Sequence, residues 1–320
     1  MTGPMGSTKN ILIIKHGAFG DVMQSDGALH DIRDHHPDDQ ITVLTEPAYA
    51  KIMERCPWID TVVRDPREPR WRLDKMWALR RTLKALNIDR VYDLQNSSRT
   101  ADYFKWIFPG VEWSGTAPGC SHPHKAKDPK AIHSLRRMEG QLVDAGLTCR
   151  HTLQPNVTWM ANDVRALLDE AGLQSGFILL VPGSSASLPH KRWPFYKELA
   201  ARLIADGRQV VTVPGPDEME LCATIPGTTL TGGSFLGWFD LAGVVKEAAY
   251  IVGNDTGPSH LAAHMGKPGL ALFGSHTTVE KTGIKTDRFD AIEVEDLNDL
   301  SVEQAYEAVN AGLTAQSNSV

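Results

Sequence analysis

Three segments of this chain combine glycine with side chains able to do chemistry. The first reads Lys15-His16-Gly17-Ala18-Phe19-Gly20-Asp21. Gly17 and Gly20 allow a sharp backbone turn, which leaves Asp21 at the start of the next element. A carboxylate there either caps a helix or takes a proton from an attacking hydroxyl. The second runs from Pro182-Gly183-Ser184-Ser185 to Lys191-Arg192-Trp193-Pro194. Two hydroxyls and a lysine ahead of a helix can cradle a phosphate, with Lys191 as a point charge. A solvated basic turn is the plainer alternative. The third is Gly253-Asn254-Asp255-Thr256-Gly257-Pro258-Ser259-His260. Helix N-terminal amides at Thr256 and Gly257 suit a pyrophosphate. Asp255 can accept hydrogen bonds from sugar hydroxyls, and His260 is either packed or catalytic.

Absent patterns narrow the chemistry. The first segment is not GxGxxG, and only Glu46 could serve as the acidic residue closing a second strand, so a dinucleotide fingerprint is weak. There is no HExxH, no GxxxxGK[ST], no GxSxG and no DxD that would hold Mg²⁺ on a nucleotide-sugar. Asp255-Thr256-Gly257 in isolation matches aspartic proteases, but it follows a strand and opens a helix rather than lying in an all-β fold. Cys56, Cys120, Cys149 and Cys222 form no CxxC pair, and no histidine stands at zinc-ligand spacing from them. They read as thiols of a reducing compartment. His122 and His124 fall in a stretch read as loop, and no metal site is expected.

The elements that must position these segments alternate. Asn10–Ile14 is a short apolar run suited to a buried parallel strand, followed by a helical pattern through Val22, Ala28, Leu29 and Ile32 that ends before Pro37. Strands follow at 41–45, 60–63 and 90–93, with helices between, Trp71–Leu86 among them. The stretch 109–130 reads as loop, with helices expected near 131–145 and 161–171. The alternation restarts with a strand at 177–181, a helix at 194–205 with Pro194 in its first turn, and strands at 209–213 and 249–252. A helix over 258–265 and a strand at 269–273 close the pattern, and 301–313 reads as a last helix. Strand–helix alternation predicts βαβ units and parallel sheets, in two doubly wound α/β halves with a cleft between them. The boundary is set in the polar linker at 151–158, giving domains 1–158 and 159–320. In such sheets ligands bind beyond the carboxyl ends of the strands, where all three segments lie.

Composition supports an ordinary globular chain. It has 320 residues, 42 % apolar and 22 % charged, with a net charge of −6 and a pI near 6.1. That balance argues against nucleic acid as a partner. No run approaches the ~18 apolar residues of a membrane span, and the first ten residues lack a signal-peptide pattern, so a cytoplasmic protein is expected. Charge is uneven: Arg64 to Arg150 holds 17 basic against 10 acidic residues, and Leu270 to Val320 holds 3 against 9. The first half is suited to an anionic partner.

Together, KHGAFGDV, PGSSASLPHKRWP and VGNDTGPSHLAAHMGKPGLALFG resemble glycosyltransferase family 9, the ADP-heptose:lipopolysaccharide heptosyltransferases, over roughly Ile11 to Gly274. The resemblance implies a GT-B fold of two Rossmann-like domains facing across a cleft. It implies an acceptor-binding N-terminal domain, a nucleotide-sugar-binding C-terminal domain, and a last helix that packs back on the first. It implies an inverting, metal-independent transfer of heptose from ADP-heptose to an inner-core lipopolysaccharide acceptor, without a cofactor. Asp21 then matches the general base, and Lys191, with Ser184 and Ser185 more loosely, the donor-phosphate ligands. Thr256 and Gly257 match the phosphate-binding turn and Asp255 the donor-sugar ligand, with Gly20 and His260 as further candidates. The basic first half would meet an anionic glycolipid or glycan through residues such as Arg64, Arg67, Arg70, Arg72, Arg136 and Arg137, in transient contact with the inner membrane surface. The sequence departs from the family at Gln24, Asp26 and Gly27, at His16, and at Ser275-His276-Thr277-Thr278. A transferase with another nucleotide-sugar or acceptor, including a protein, is the first alternative. An NAD(P)-dependent oxidoreductase and a binding module without turnover stand further off.

Overall fold

The computed structural model describes residues 8–125, 133–185 and 188–317. The chain divides into two compact units, Met1–Pro155 and Asn156–Val320. Each is built on one six-stranded sheet.

In the first unit the strands are β1 (Asn10–Ile14), β2 (Gln40–Thr45), β3 (Thr61–Arg64), β4 (Arg90–Asp93), β5 (Glu112–Gly115) and β6 (His122–Pro123). They lie in the order β3-β2-β1-β4-β5-β6, and every pairing is parallel. This is the doubly wound dinucleotide-fold order, with its reversal between β1 and β4. Ile11 to Ile14 are fully buried, as a central parallel strand covered on both faces requires. One core layer gathers Leu12, Ile14, Leu44, Val91, Tyr103 and Trp113.

The second unit repeats the plan with β7 (Ile178–Val181), β8 (Val210–Thr212), β9 (Thr228–Thr229), β10 (Tyr250–Asn254), β11 (Gly269–Phe273) and β12 (Phe289–Glu293). The order β12-β11-β10-β7-β8-β9 is the same sequence counted from β7, again all parallel. Its reversal falls between β7 and β10. The final helix, Val302–Ser317, buries Ala305 and Val309 in this unit's own core beside Leu199, Leu203 and Tyr250. It lies so close to the sheet that a Cβ on Gly312 would come 2.5 Å from the Tyr250 hydroxyl.

Several expectations change. The stretch 109–130, read as loop, carries β5 and β6. The helix expected near 131–145 is Ser134–Asp144, and its expected start at Ala131 lies outside the described residues. The single helix after β1 is two, α1 (Phe19–Gln24) and α2 (Asp26–His35), interrupted at Ser25, whose hydroxyl donates to the Val22 carbonyl at 2.7 Å. The helix expected at 194–205 begins at Tyr196, after Pro194 rather than around it. The helix near 161–171 is the shorter Arg165–Glu170. The sheet does not close at β11, because β12 adds an edge strand beyond it. Of these, β5, β6 and β12 are short or edge strands, where periodicity carries little signal.

Candidate functional site

The carboxyl ends of β7 and β10 meet at the second sheet's reversal, and Asn254 joins them. This residue is completely buried. Its amide nitrogen donates to the carbonyls of Pro182 at 2.9 Å and Gly183 at 3.1 Å. Its oxygen accepts from the Trp193 amide and the Tyr196 hydroxyl, each at 3.1 Å. One side chain therefore ties the loop after β7, the loop after β10 and the start of helix Tyr196–Ala205. Gly253 permits this tightness: a Cβ there would lie 2.4 Å from the Ser259 Oγ.

On this frame Lys191 Nζ reaches Asp255 Oδ2 at 2.8 Å. Asp255 Oδ2 also faces His276 Nε2 at 3.0 Å, and Oδ1 faces His260 Nε2 at 3.3 Å. The side chains are 18 % exposed for Lys191 and 7 % for Asp255. Burial alone would raise the Asp255 pKa, but hydrogen bonds from His260 and Lys191 and their charges hold it well below the usual carboxylate range. The carboxylate is ionised at neutral pH. It offers about four lone-pair sites, three of which these neighbours occupy.

Thr256 follows as the N-cap of helix Gly257–His264, in extended backbone and with no side-chain cap on that turn. Pro258 supplies no N–H, while the His260 amide returns to the Thr256 carbonyl at 3.2 Å. Amide donors at a helix start without a side-chain cap form a ready anion site. Ser184 is buried: its hydroxyl donates to the Leu188 carbonyl at 3.0 Å and accepts from Arg192 Nε at 3.1 Å. Ser185 is exposed, and its carbonyl accepts the Leu188 amide at 2.8 Å. The structure thus brings Lys191, Asp255 and His260 into direct contact and sets Thr256 and Gly257 beside them. It gives Ser184 an internal role in shaping the loop. In the sequence His276 stands out only as a departure from the family pattern. Its contact with Asp255 spans 21 residues, a tertiary pairing that local spacing does not reveal.

The first unit has its own strand-end cluster. Asp21 lies in the first turn of α1 and is exposed; the N-cap is Ala18, so Asp21 is not the cap. Gly20 precedes it within the helix. Lys15 is buried just beyond β1. Burial lowers its pKa, Asp21 and Asp93 oppose that, and Arg137 adds to it. Asp93, at the end of β4, is 1 % exposed, and burial pushes its pKa up to about 6 against hydrogen bonds that include the Asn96 and Gln95 amides. His16 Nε2 lies 2.9 Å from Asp65 Oδ2, which also accepts the Tyr103 hydroxyl at 2.7 Å. Burial would raise the Asp65 pKa, but His16, Tyr103 and the Arg67 amide pull it down. Sequence reasoning missed Asp93; an acidic residue closing the strand beside the reversal was the available signal.

The departures after Asp21 are internal. Gln24 is buried and accepts the Ser134 hydroxyl at 2.6 Å. Asp26 is buried and accepts Trp58 Nε1 at 3.0 Å. The four cysteines are free, and no helix among the described residues is long and apolar enough to cross a membrane.

The family model and the curated relatives point to one family. The family model described as Glycosyltransferase family 9 (heptosyltransferase) matches residues 76–305. Lipopolysaccharide heptosyltransferase 3 of Escherichia coli is 23 % identical over 283 residues, covering 80 % of this chain and 81 % of the relative. A solved glycosyl transferase family 9 structure from Veillonella parvula aligns with a TM-score of 0.81 at 20 % identity, over 96 % of this chain and 97 % of that one. The E. coli heptosyltransferase WaaC, solved with ADP-2-deoxy-2-fluoro heptose, aligns with a TM-score of 0.72 at 19 % identity, over 94 % and 99 %. The architecture is the GT-B fold that the resemblance implied. This chain belongs to glycosyltransferase family 9, and it is a glycosyltransferase.

Proposed function

We propose that this enzyme transfers heptose from ADP-heptose to an inner-core lipopolysaccharide acceptor, inverting the anomeric centre and needing no metal or cofactor. The observation that carries the reading is the Lys191–Asp255 pair beside the helix start at Thr256 and Gly257. The relative named a lipopolysaccharide heptosyltransferase and the neighbour solved with an ADP-heptose analogue support the choice of sugar and nucleotide. In this reading the second unit holds the donor. Lys191 and the helix amides take the diphosphate charge, Ser184 and Ser185 shape that loop, and Asp255 uses its remaining lone pair on a sugar hydroxyl. His260 and His276 keep the carboxylate in place.

The first unit holds the acceptor. Asp21 takes the proton of the attacking hydroxyl. The new C–O bond forms at the anomeric carbon as its bond to the diphosphate oxygen breaks, and ADP leaves with the electron pair. Displacement from one face inverts the centre. Lys191 does electrostatically what a divalent cation would do on the leaving group. A thermal-shift panel tests the donor site: ADP and ADP-heptose should raise the melting point in EDTA, and NAD should not. A response to NAD alone overturns the reading.

The acceptor is a glycolipid in this proposal, and the protein works at the cytoplasmic face of a membrane. Helix Leu73–Ala85 and helix Ser98–Trp106 carry a surface fitted to that place. Trp71, Trp77 and Trp106 are 75, 64 and 65 % exposed, and Arg70, Arg80 and Arg99 line the cavity between the helices. Tryptophan and arginine together suit the headgroup layer of an anionic bilayer. Binding to phosphatidylglycerol vesicles, but not phosphatidylcholine vesicles, and its loss in Trp77→Ser/Trp106→Ser, is the expected result. Equal binding of the variant overturns the assignment.

A further inference from the structure

A cleft opens on the first unit between helix Leu73–Ala85 and helix Ser98–Trp106. Residues three and four apart on a helix share a face. Each helix turns such a face to the cleft, with Leu73, Met76 and Trp77 on one and Tyr103 and Trp106 on the other. The floor is core: Tyr103 and Ile107 are 1 and 2 % exposed and belong to the layer around Trp113. Trp77 and Trp106 stand higher, with their indoles mostly in solvent. The cavity measures about 290 Å³, roughly twice the ~150 Å³ of an apolar cavity that admits benzene.

The rim is positive and held in place. Arg99 donates to the Glu68 and Arg67 carbonyls at 2.8 and 3.2 Å. Arg80 donates to the Trp106 carbonyl at 3.1 Å, and its guanidinium lies 5.3 Å over the Trp77 ring. Carbonyls orient a guanidinium without neutralising it, and among the described residues neither Arg80 nor Arg99 forms an ion pair with a carboxylate. Arg70 is paired with Asp102 at 3.1 Å. Three arginines against one aspartate leave the rim at +2. The Tyr103 hydroxyl donates to Asp65 at 2.7 Å, so its proton is already used. An occupant must therefore be apolar below and anionic above. A peptide would bring backbone N–H and C=O groups into the cleft, and a sugar its hydroxyls, where Leu73, Met76 and Ile107 offer them no partner. A linear hydrocarbon fills the space with no polar group to satisfy.

We propose that this cleft takes one acyl chain of an anionic phospholipid, with Arg80 and Arg99 on its phosphate. Arginine suits that group because its planar fork donates two parallel hydrogen bonds. The site rests on the membrane contact proposed above: the bilayer presents the lipid, and Trp77 and Trp106 enter the headgroup layer. A chain in the cleft then removes Leu73 and the inner faces of the indoles from water. Attraction between surface charges alone would need the arginines and no cleft.

The test begins without a membrane. Hexyl, octyl, decyl and dodecyl phosphate, kept below their micelle concentrations, are titrated into the full chain by calorimetry. Affinity should rise about fourfold per methylene until the cleft is full, then level off. Dihexanoyl-phosphatidylglycerol, dissolved as a monomer, should compete, and its phosphatidylcholine analogue should compete about fivefold or more weakly. Leu73→Asp puts a charge in the wall at a residue 59 % exposed, so it should melt like the parent and lose the chain-length dependence. Arg80→Gln/Arg99→Gln should keep that dependence and lose the preference for phosphatidylglycerol. Equal affinity for inorganic phosphate and decyl phosphate, or a chain-length dependence unchanged in Leu73→Asp, would overturn the chain site. Phosphatidylglycerol vesicles bound alongside either result would leave the membrane contact standing. A dimer that Leu73→Asp dissolves would give the cleft to a second copy of the chain and overturn the lipid. Alkyl phosphates bound by a protein that ignores phosphatidylglycerol vesicles would overturn the phospholipid as the source.

Discussion

Replacing Lys191 with methionine keeps the aliphatic stem and removes the charge. The parent pair is neutral overall, so the variant leaves Asp255 as a net negative charge in the proposed diphosphate site. At 2.8 Å and an effective dielectric near 20, the pair's attraction is about 6 kcal/mol before desolvation is subtracted. Losing one partner of a buried pair costs about 3–5 kcal/mol. Here Lys191 is 18 % exposed and two histidines still face Asp255, so about 2 kcal/mol of stability should go. The larger effect falls on the donor. Loss of a charge-stabilising donor in the transition state costs about 10²–10³ in kcat. Uncompensated Asp255 adds about 3 kcal/mol of repulsion per unit of phosphate charge at about 6 Å.

The double variant Lys191→Met/Asp255→Asn separates these terms, because it restores neutrality without restoring the cation. ADP affinity, measured by calorimetry, should fall at least a hundredfold in Lys191→Met and recover by about tenfold or more in the double variant. Turnover should stay low in both. Equal ADP affinity in parent and single variant, or no recovery in the double variant, would refute the electrostatic reasoning.

Three further outcomes follow from the same geometry. Asp21→Asn should lower turnover by about 10²–10⁴ with the melting point unchanged, since the residue is exposed; a loss of stability matching the loss of rate would point to a structural residue instead. Asp93 has a folded-state pKa of about 6, raised above the ordinary value, so its contribution to stability is present below about pH 4 and lost as the pH rises through 6. Asp93→Asn should therefore be more stable than the parent by about 1–3 kcal/mol at pH 7.5 and equal to it near pH 4, by denaturant titration at each pH. Asn254→Ala leaves two carbonyls, one amide and one hydroxyl without their partner. It should cost about 3 kcal/mol or more and weaken ADP binding with it.

The central strands were legible because burial writes itself into residue type. Ile11 to Ile14 and Ile178 to Val181 can only be apolar where a parallel strand is covered on both faces. The candidate motifs were legible for a related reason: a loop after such a strand needs glycine to turn and leaves polar residues at the strand ends. What stayed hidden depends on distant partners. β6 is His122–Pro123, two residues recruited to the edge by β5. β12 buries only Phe289 fully, so its alternation is faint. Ser25 interrupts a helical pattern that runs smoothly through its apolar positions. The pairing of His276 with Asp255, and the stack of Trp58, His30 and His151, join segments far apart in the chain.

The most direct test of the proposed activity is a transfer reaction with ADP-heptose and a deacylated inner-core acceptor in EDTA, read by NMR at the new anomeric centre. Transfer with inverted configuration, ADP released in equal amount, and no gain from added Mg²⁺ is the result expected. Retained configuration, or transfer that appears only when metal is restored, would contradict it.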